Sequence, residues 1–279
     1  MNNGSAIELI ANRSWLENTA EAIQPAITNT FKAGGVAGQQ VKNALHGTWL
    51  GHPLHPVLTD VPLGAWTVAL TFDLMAESGS DNGYSGAADA AVAIGLAGAV
   101  GAAVTGLTDW SATGGRSRRI GLLHGLLNVS ATALYGASLW RRLTGDRRGG
   151  RGLAYAGYAV SASAAYLGGH LVFNEQVGVD HTAALKLPHD FTPVMAERDL
   201  AEGELHRAEA DGVGVLLARQ GENIRALAET CAHAGGPLAK GELIDGSVRC
   251  PWHASRYSLE DGRVLDGPST YPQPCFDVR

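Results

Sequence analysis

The sequence is poor in cysteine, aromatics and charge. Only Cys231, Cys250 and Cys275 occur among 279 residues, too few for a small domain held together by disulfides. If two of them serve as ligands, no disulfide can form within the chain, which points to a reducing compartment. Charged residues make up 17% and gather at the ends and in short loops, so the middle has no conventional soluble surface. A net charge of -6 leaves no cationic face to neutralise phosphates, and nucleic acid is excluded as a partner. The first 35 residues lack the basic n-region, continuous apolar core and cleavage site of an export signal, so none is expected. Ile7, Ile10, Leu16, Ile23, Ile27 and Phe31 instead recur at helical spacing, as in an amphipathic helix lying on a membrane or another domain.

What the middle has is long uncharged runs. Residues 90–107, 120–140 and 152–173 contain no Asp, Glu, Lys or Arg, and each is close to the ~20 residues a helix needs to cross the hydrocarbon core. A fourth run, His55 to Ala76, is apolar at its centre but includes Asp60 and Asp73. The expectation is a bundle of four transmembrane helices in contact with membrane lipid. Gly95, Gly98 and Gly101 lie near one stripe of the second span, as close helix packing in lipid prefers. Arginines flank the spans on both sides, so the positive-inside rule gives no orientation.

Alternating helix directions put His52 and His55, Asp109, His124 and His170 at one membrane face. Ionisable groups in lipid are costly and turn inward. Imidazoles at one depth on different helices suit axial ligation of a b-type haem, a metal ion or a quinone head group. They equally suit hydrogen bonds that tie helices together. His55, His124 and His170 are the candidates for such a haem or quinone site.

The remaining cysteines sit in "CAHAGGPLAKGELIDGSVRCPWHAS". Cys231-x-His233 and Cys250-x-x-His253 offer two S/N ligand pairs on separate loops, a set that suits zinc or an iron–sulfur cluster. A single residue inside the first pair is unusual for zinc. The stretch closely resembles Rieske [2Fe-2S] domains, including the "GGPL" after the first pair and the "CPWH" of the second. That resemblance spans about residues 191 to 279 and implies an all-β domain. It implies that Cys231 and Cys250 bind the inner iron, and His233 and His253 the outer one. Alternating strands flank Gly221-Glu222, and Asp261-Gly262 reads as a hairpin turn.

Respiratory Rieske proteins carry an extra Cys in each ligand loop, and this chain has Gly236 and Trp252 at those places. It therefore resembles the ferredoxin or oxygenase type, which implies the cytoplasmic side. Ser255 and Tyr257 occupy positions where the high-potential subtype donates hydrogen bonds to a bridging sulfide and a cysteine sulfur. Cys275, with no paired ligand nearby, is expected to be a small buried apolar residue. Separately, "GHPLHPVLTDVPLGAW" from Gly51 resembles the H-P-x-H-P signature of a bacterial four-helix membrane family of unknown function, over about residues 45 to 180.

The expected fold is thus multidomain: an N-terminal amphipathic helical segment (1–44), an all-α four-helix transmembrane bundle (45–180), a linker (181–190) and an all-β Rieske domain (191–279). The expected function is electron transfer in the cell membrane by a multi-pass protein, the cluster exchanging electrons with a haem or quinone site in the bundle or with a redox protein. The alternative is a membrane-anchored ferredoxin serving a separate oxygenase. A self-contained oxygenase is not expected, because only 22 residues and no His follow Tyr257, too little to hold a mononuclear iron.

Overall fold

The computed structural model describes residues 13–79 and 81–279 together with Ile7 and Ala11. Ile10 of the amphipathic stretch and Ser80 lie outside the described residues. The described chain runs through helices α1 (Ser14–Ala33), α2 (Gly35–His46), α3 (Leu54–Glu77), α4 (Tyr84–Trp110), α5 (Gly115–Leu143) and α6 (Arg147–Phe173). Short antiparallel strands then follow. By contacts it forms two units, one of residues up to Thr30 with Leu54–Glu175, the other of Phe31–Pro53 with Gln176–Arg279.

The first unit is the helical one. Helix α3 packs on α4 and α5 on α6, and contacts of α4 with α5 and of α3 with α6 close the ring. The glycines of α4 form the contact face. A Cβ at Gly95 would run into the Trp66 indole, one at Gly98 into Val61 and one at Gly106 into the His55 ring. Removing the side chain lets α3 approach, which is how helices associate when lipid supplies no hydrophobic drive. Trp66 stacks on Tyr135 of α5, ring centroids 4.0 Å apart, at the centre of the bundle core with Ala69, Val92 and Ala131.

Three of these helices, α3, α4 and α5, are long and apolar enough to cross a membrane. The expected fourth span differs. Helix α6 has the length but falls below that mark, because its Tyr, Ser, Gly and His dilute the aliphatic content.

Asp73 explains itself in this setting. Its carboxylate meets Arg142 of α5 in a two-pronged pair at 2.8 and 2.5 Å, both side chains wholly buried. Arg142 also reaches Ser138 and Asp89, so the charges sit in a hydrogen-bonded network. Helix α1 lays Leu16 and Ala20 against Trp110 and Leu122. Its Gln24 donates to the carbonyls of Trp110 and Thr113, tying the amphipathic helix to the end of α4.

The second unit carries two four-stranded antiparallel sheets. One has β1 (Leu205–Ala210), β2 (Val213–Gln220), β3 (Asn223–Ala228) and β8 (Cys275–Phe276) in the order β1-β2-β3-β8. The other runs in chain order through β4 (Glu242–Ile244), β5 (Ser247–Arg249), β6 (Arg256–Ser258) and β7 (Val264–Asp266). Gln220 pairs with Asn223, so Gly221-Glu222 is the expected hairpin turn. Strand β2 is buried on both faces. Leu216 and Ala218 point into the core that holds Cys231, Cys250 and Tyr257, while Val215 and Leu217 pack with Leu200 and Ala226, the two-residue alternation of a strand. Cys275 departs from expectation: it is exposed, because β8 is an edge strand of two residues.

Helix α2 belongs with the strands, although more than 100 residues of helical bundle separate them. Its Asn43 amide meets β7 and the residue after it, and the chain just after α6 bonds to the same unit through His181 N–H and Ala232 carbonyl at 3.0 Å. Sequence boundaries at 44/45 and 190/191 do not contain this arrangement, since both segments flanking the bundle fold onto the strands.

Candidate functional site

The two Cys/His pairs sit on loops of the same backbone design. In the first, Cys231 N–H bonds to the Gly236 carbonyl and Gly235 N–H returns to the Cys231 carbonyl, at 2.9 and 2.8 Å. In the second, Cys250 N–H bonds to the Ser255 carbonyl and Ala254 N–H to the Cys250 carbonyl, at 2.8 and 3.1 Å. The fifth residue of each loop has positive φ, 73° at Gly235 and 63° at Ala254. Glycine adopts that conformation freely; alanine is strained in it. A non-glycine residue held there marks a backbone set by its surroundings, a common property of functional loops. The second loop is the connection between β5 and β6, whose last pair is Arg249 with Arg256.

The loops bring the four donors together. Both thiols are buried and unpaired as disulfides, and the His233 and His253 rings lie 4.9 Å apart, nearly perpendicular. Burial pushes His233 down to about 3, helped by the charges of His253, His46, His181 and Lys42. Burial lowers His253 too, with Lys42 adding to it. Both imidazoles are therefore neutral at physiological pH, the form that gives a lone pair to a metal. Hydrogen bonding with Cys231 draws the Cys250 thiol down to about 7, while the same bond and burial push Cys231 up.

His253 Nδ1 is buried with no hydrogen-bond partner, an arrangement that costs free energy unless the atom binds something. Among the described residues no three His, Cys, Asp or Glu side chains group to hold one metal ion. Two irons joined by sulfide would divide the donors, the two thiols on one iron and the two imidazoles on the other. The donor set fits a [2Fe-2S] cluster.

Around the donors, Tyr257 Oη lies 3.2 Å from Cys231 Sγ and the tyrosine is fully buried on β6. Ser255, also buried, accepts a hydrogen bond from Ser269 N–H at 3.0 Å, which leaves its own O–H free to donate. Gly236 has no room for a side chain, since a Cβ would press on Cys250 Sγ and the Trp252 ring. Gln273 was not legible from sequence. Its Oε1 accepts from Ala232 N–H, between the first two donors, and its Nε2 donates to Ala228 and Thr230. Nothing in "YPQPC" singles out a glutamine that holds a ligand loop.

The profile of the Rieske [2Fe-2S] domain matches residues 190–277. The ferredoxin component of biphenyl 2,3-dioxygenase from Rhodococcus jostii (strain RHA1) is 31% identical over 88 residues, 32% of this chain and 82% of that protein. The chain belongs to the Rieske [2Fe-2S] family. The ferredoxin subunit of 3-phenylpropionate/cinnamic acid dioxygenase from Escherichia coli (strain K12) is 32% identical over 29% of this chain and 76% of its own length. Apoptosis-inducing factor 3 of Mus musculus and of Homo sapiens is 38% identical over 82 residues; the chain spans only 14% of that protein's length. Ahead of the Rieske domain, residues 51–181 match a predicted membrane protein family, DUF2231. A Rieske domain with its [2Fe-2S] cluster is thus joined to a membrane domain.

The bundle histidines fall into two groups. His55 and His124 meet edge to face, ring centroids 6.2 Å apart. Both ring nitrogens of His124 are engaged: Nδ1 with the Ala164 carbonyl at 2.8 Å and Nε2 with the Asn128 amide at 3.1 Å. His55 Nδ1 faces the Ala102 carbonyl at 2.9 Å. His170 instead meets Glu175, Nε2 to Oε1 at 3.4 Å, and Glu175 also takes Arg116. His52 lies in the unit with the strands, edge-on to Tyr271. Asp109 is in the last turn of α4.

Proposed function

We propose that the protein is a membrane-held one-electron carrier, with Cys231 and Cys250 on the inner iron and His233 and His253 on the outer iron of its cluster. The cluster supplies a single reversible electron, at a potential raised by its neutral imidazole ligands. The protein's own residues shape that property. Tyr257 donates to the Cys231 sulfur, a bond that favours the more negative reduced form. Gly236 and Gln273 hold the first ligand loop close, and burial keeps both histidines neutral. The observation that carries the reading is the matched pair of ligand loops, each presenting one buried thiol and one neutral imidazole.

The partner is a redox protein such as an oxygenase; the relatives named above are ferredoxin components of dioxygenases. The helices cross the membrane several times and the Rieske domain faces the cytoplasm. That side is supported by the lack of a loop disulfide, with Gly236 and Trp252 where one would sit. Labelling of exposed Cys275 by a membrane-impermeant maleimide should occur in inverted vesicles and not in intact cells. The reverse result would reverse the orientation.

A second reading puts a haem or quinone at His55, His124 and His170, and the approach of His55 to His124 favours it. It requires His124 to surrender its bond to Ala164 or Asn128. The protein purified in mild detergent decides between them. Haem b bands in the reduced spectrum, or one extractable quinone per chain lost in His124→Ala, would establish the second reading. Their absence, with full reduction of an oxygenase acceptor by the His124→Ala protein, supports a bundle that only anchors.

A further inference from the structure

Helix α2 precedes the bundle in the chain, and nothing in its sequence suggests a link to the cluster. Its Asn43 nonetheless grips the Rieske domain at the end of β7. The amide nitrogen donates to the Asp266 carboxylate at 3.0 Å and the Leu265 carbonyl at 3.4 Å. The amide oxygen accepts from Gly267 N–H at 3.0 Å, across 224 positions of sequence. Gln39, one turn earlier, donates to that same oxygen at 2.9 Å and orients the amide. His46 then closes over Gly267, where a Cβ would stand about 3.1 Å from the imidazole.

The gripped residues lead directly to the donors. Two residues beyond Gly267, Ser269 N–H bonds to Ser255 Oγ in the second ligand loop. Asp266 pairs with Arg256, the neighbour of Ser255, at 3.0 Å. Four residues further, Gln273 holds the first ligand loop. Residues 267–273 therefore form a strap over both ligand loops, and Asn43 is its outer anchor.

We infer that Asn43 is a positioning residue of the cluster: by fixing Gly267 and Asp266 it holds Ser269 against Ser255, and so sets the hydroxyl that Ser255 can aim at the cluster. The inference rests on the proposed electron-carrier reading. Loosening the anchor frees the strap, lets Ser255 rotate away and removes a hydrogen bond that favours the reduced state. The effect should appear in the potential, and only while Ser255 has a hydroxyl to position.

The test uses the full chain in detergent, with midpoint potentials from redox titration followed by EPR. Asn43→Ala should keep two iron and two sulfide per chain, with a potential shifted down by a fraction of the Ser255→Ala shift. On the Ser255→Ala background the same substitution should produce no further shift. An unchanged or raised potential in Asn43→Ala overturns the inference, as does an equal shift on both backgrounds, which would mean a general loosening. If Asn43→Ala fails to retain its cluster, Gln39→Ala is read by the same two criteria, because it only disorients the amide. A wild-type protein without iron and sulfide would instead contradict the carrier reading itself.

Discussion

Tyr257→Phe removes one oxygen from a fully buried ring and leaves its packing intact. The lost bond runs from Tyr257 Oη to Cys231 Sγ at 3.2 Å. Hydrogen bonds to charged acceptors contribute about 1.5–3 kcal/mol. Both redox states accept this one, but the reduced state carries an extra negative charge and gains more. If the difference is about 1–2 kcal/mol, a one-electron couple at ~59 mV per 1.4 kcal/mol moves down by about 40–85 mV. The assay is a redox titration of the detergent-purified protein, followed by the cluster's circular dichroism, with iron counted before and after. An unchanged potential would reduce Tyr257 to packing. Loss of iron would make it a structural support of the site.

Cys250→Ser should eliminate iron and sulfide while the far-ultraviolet helical signal is kept, since the two units have separate cores; a collapse of helicity would contradict that independence. Arg142→Met should destabilise the bundle by about 3–5 kcal/mol, because it takes the two-pronged partner from the buried Asp73 carboxylate. Arg151, 3.6 Å from Asp73, places the result toward the lower end, and thermal unfolding in detergent that matches wild type would refute the pairing.

The candidate ligands were legible because chemistry restricts them. Few pairings of Cys and His at this spacing have any use, so residues 231–253 disclose the site, and the uncharged runs disclose the bundle because lipid tolerates little else. The lack of charge over residues 152–173 overstated how apolar α6 is, because that run carries Tyr, Ser, Gly and His in place of aliphatic side chains. The supporting residues were not legible for a different reason. Asn43 and Gln273 act through ordinary hydrogen bonds to backbone, and any polar residue has that capacity; only the fold brings them to the ligand loops. His124 shows the converse. An imidazole in an uncharged span suggested a ligand, yet its two nitrogens bond to Ala164 and Asn128, partners that lie on its own helix and the next and leave no trace in the pattern.

The central claim is that Cys231, His233, Cys250 and His253 hold a [2Fe-2S] cluster with nitrogen on one iron. Nitrogen hyperfine spectroscopy of the reduced protein, grown with ¹⁵N-labelled histidine, tests it most directly. The account predicts a single [2Fe-2S] signal coupled to two histidine nitrogens, halved in nitrogen coupling by His253→Cys. A signal with no strongly coupled nitrogen, or an EPR-silent protein with one zinc per chain, would contradict it.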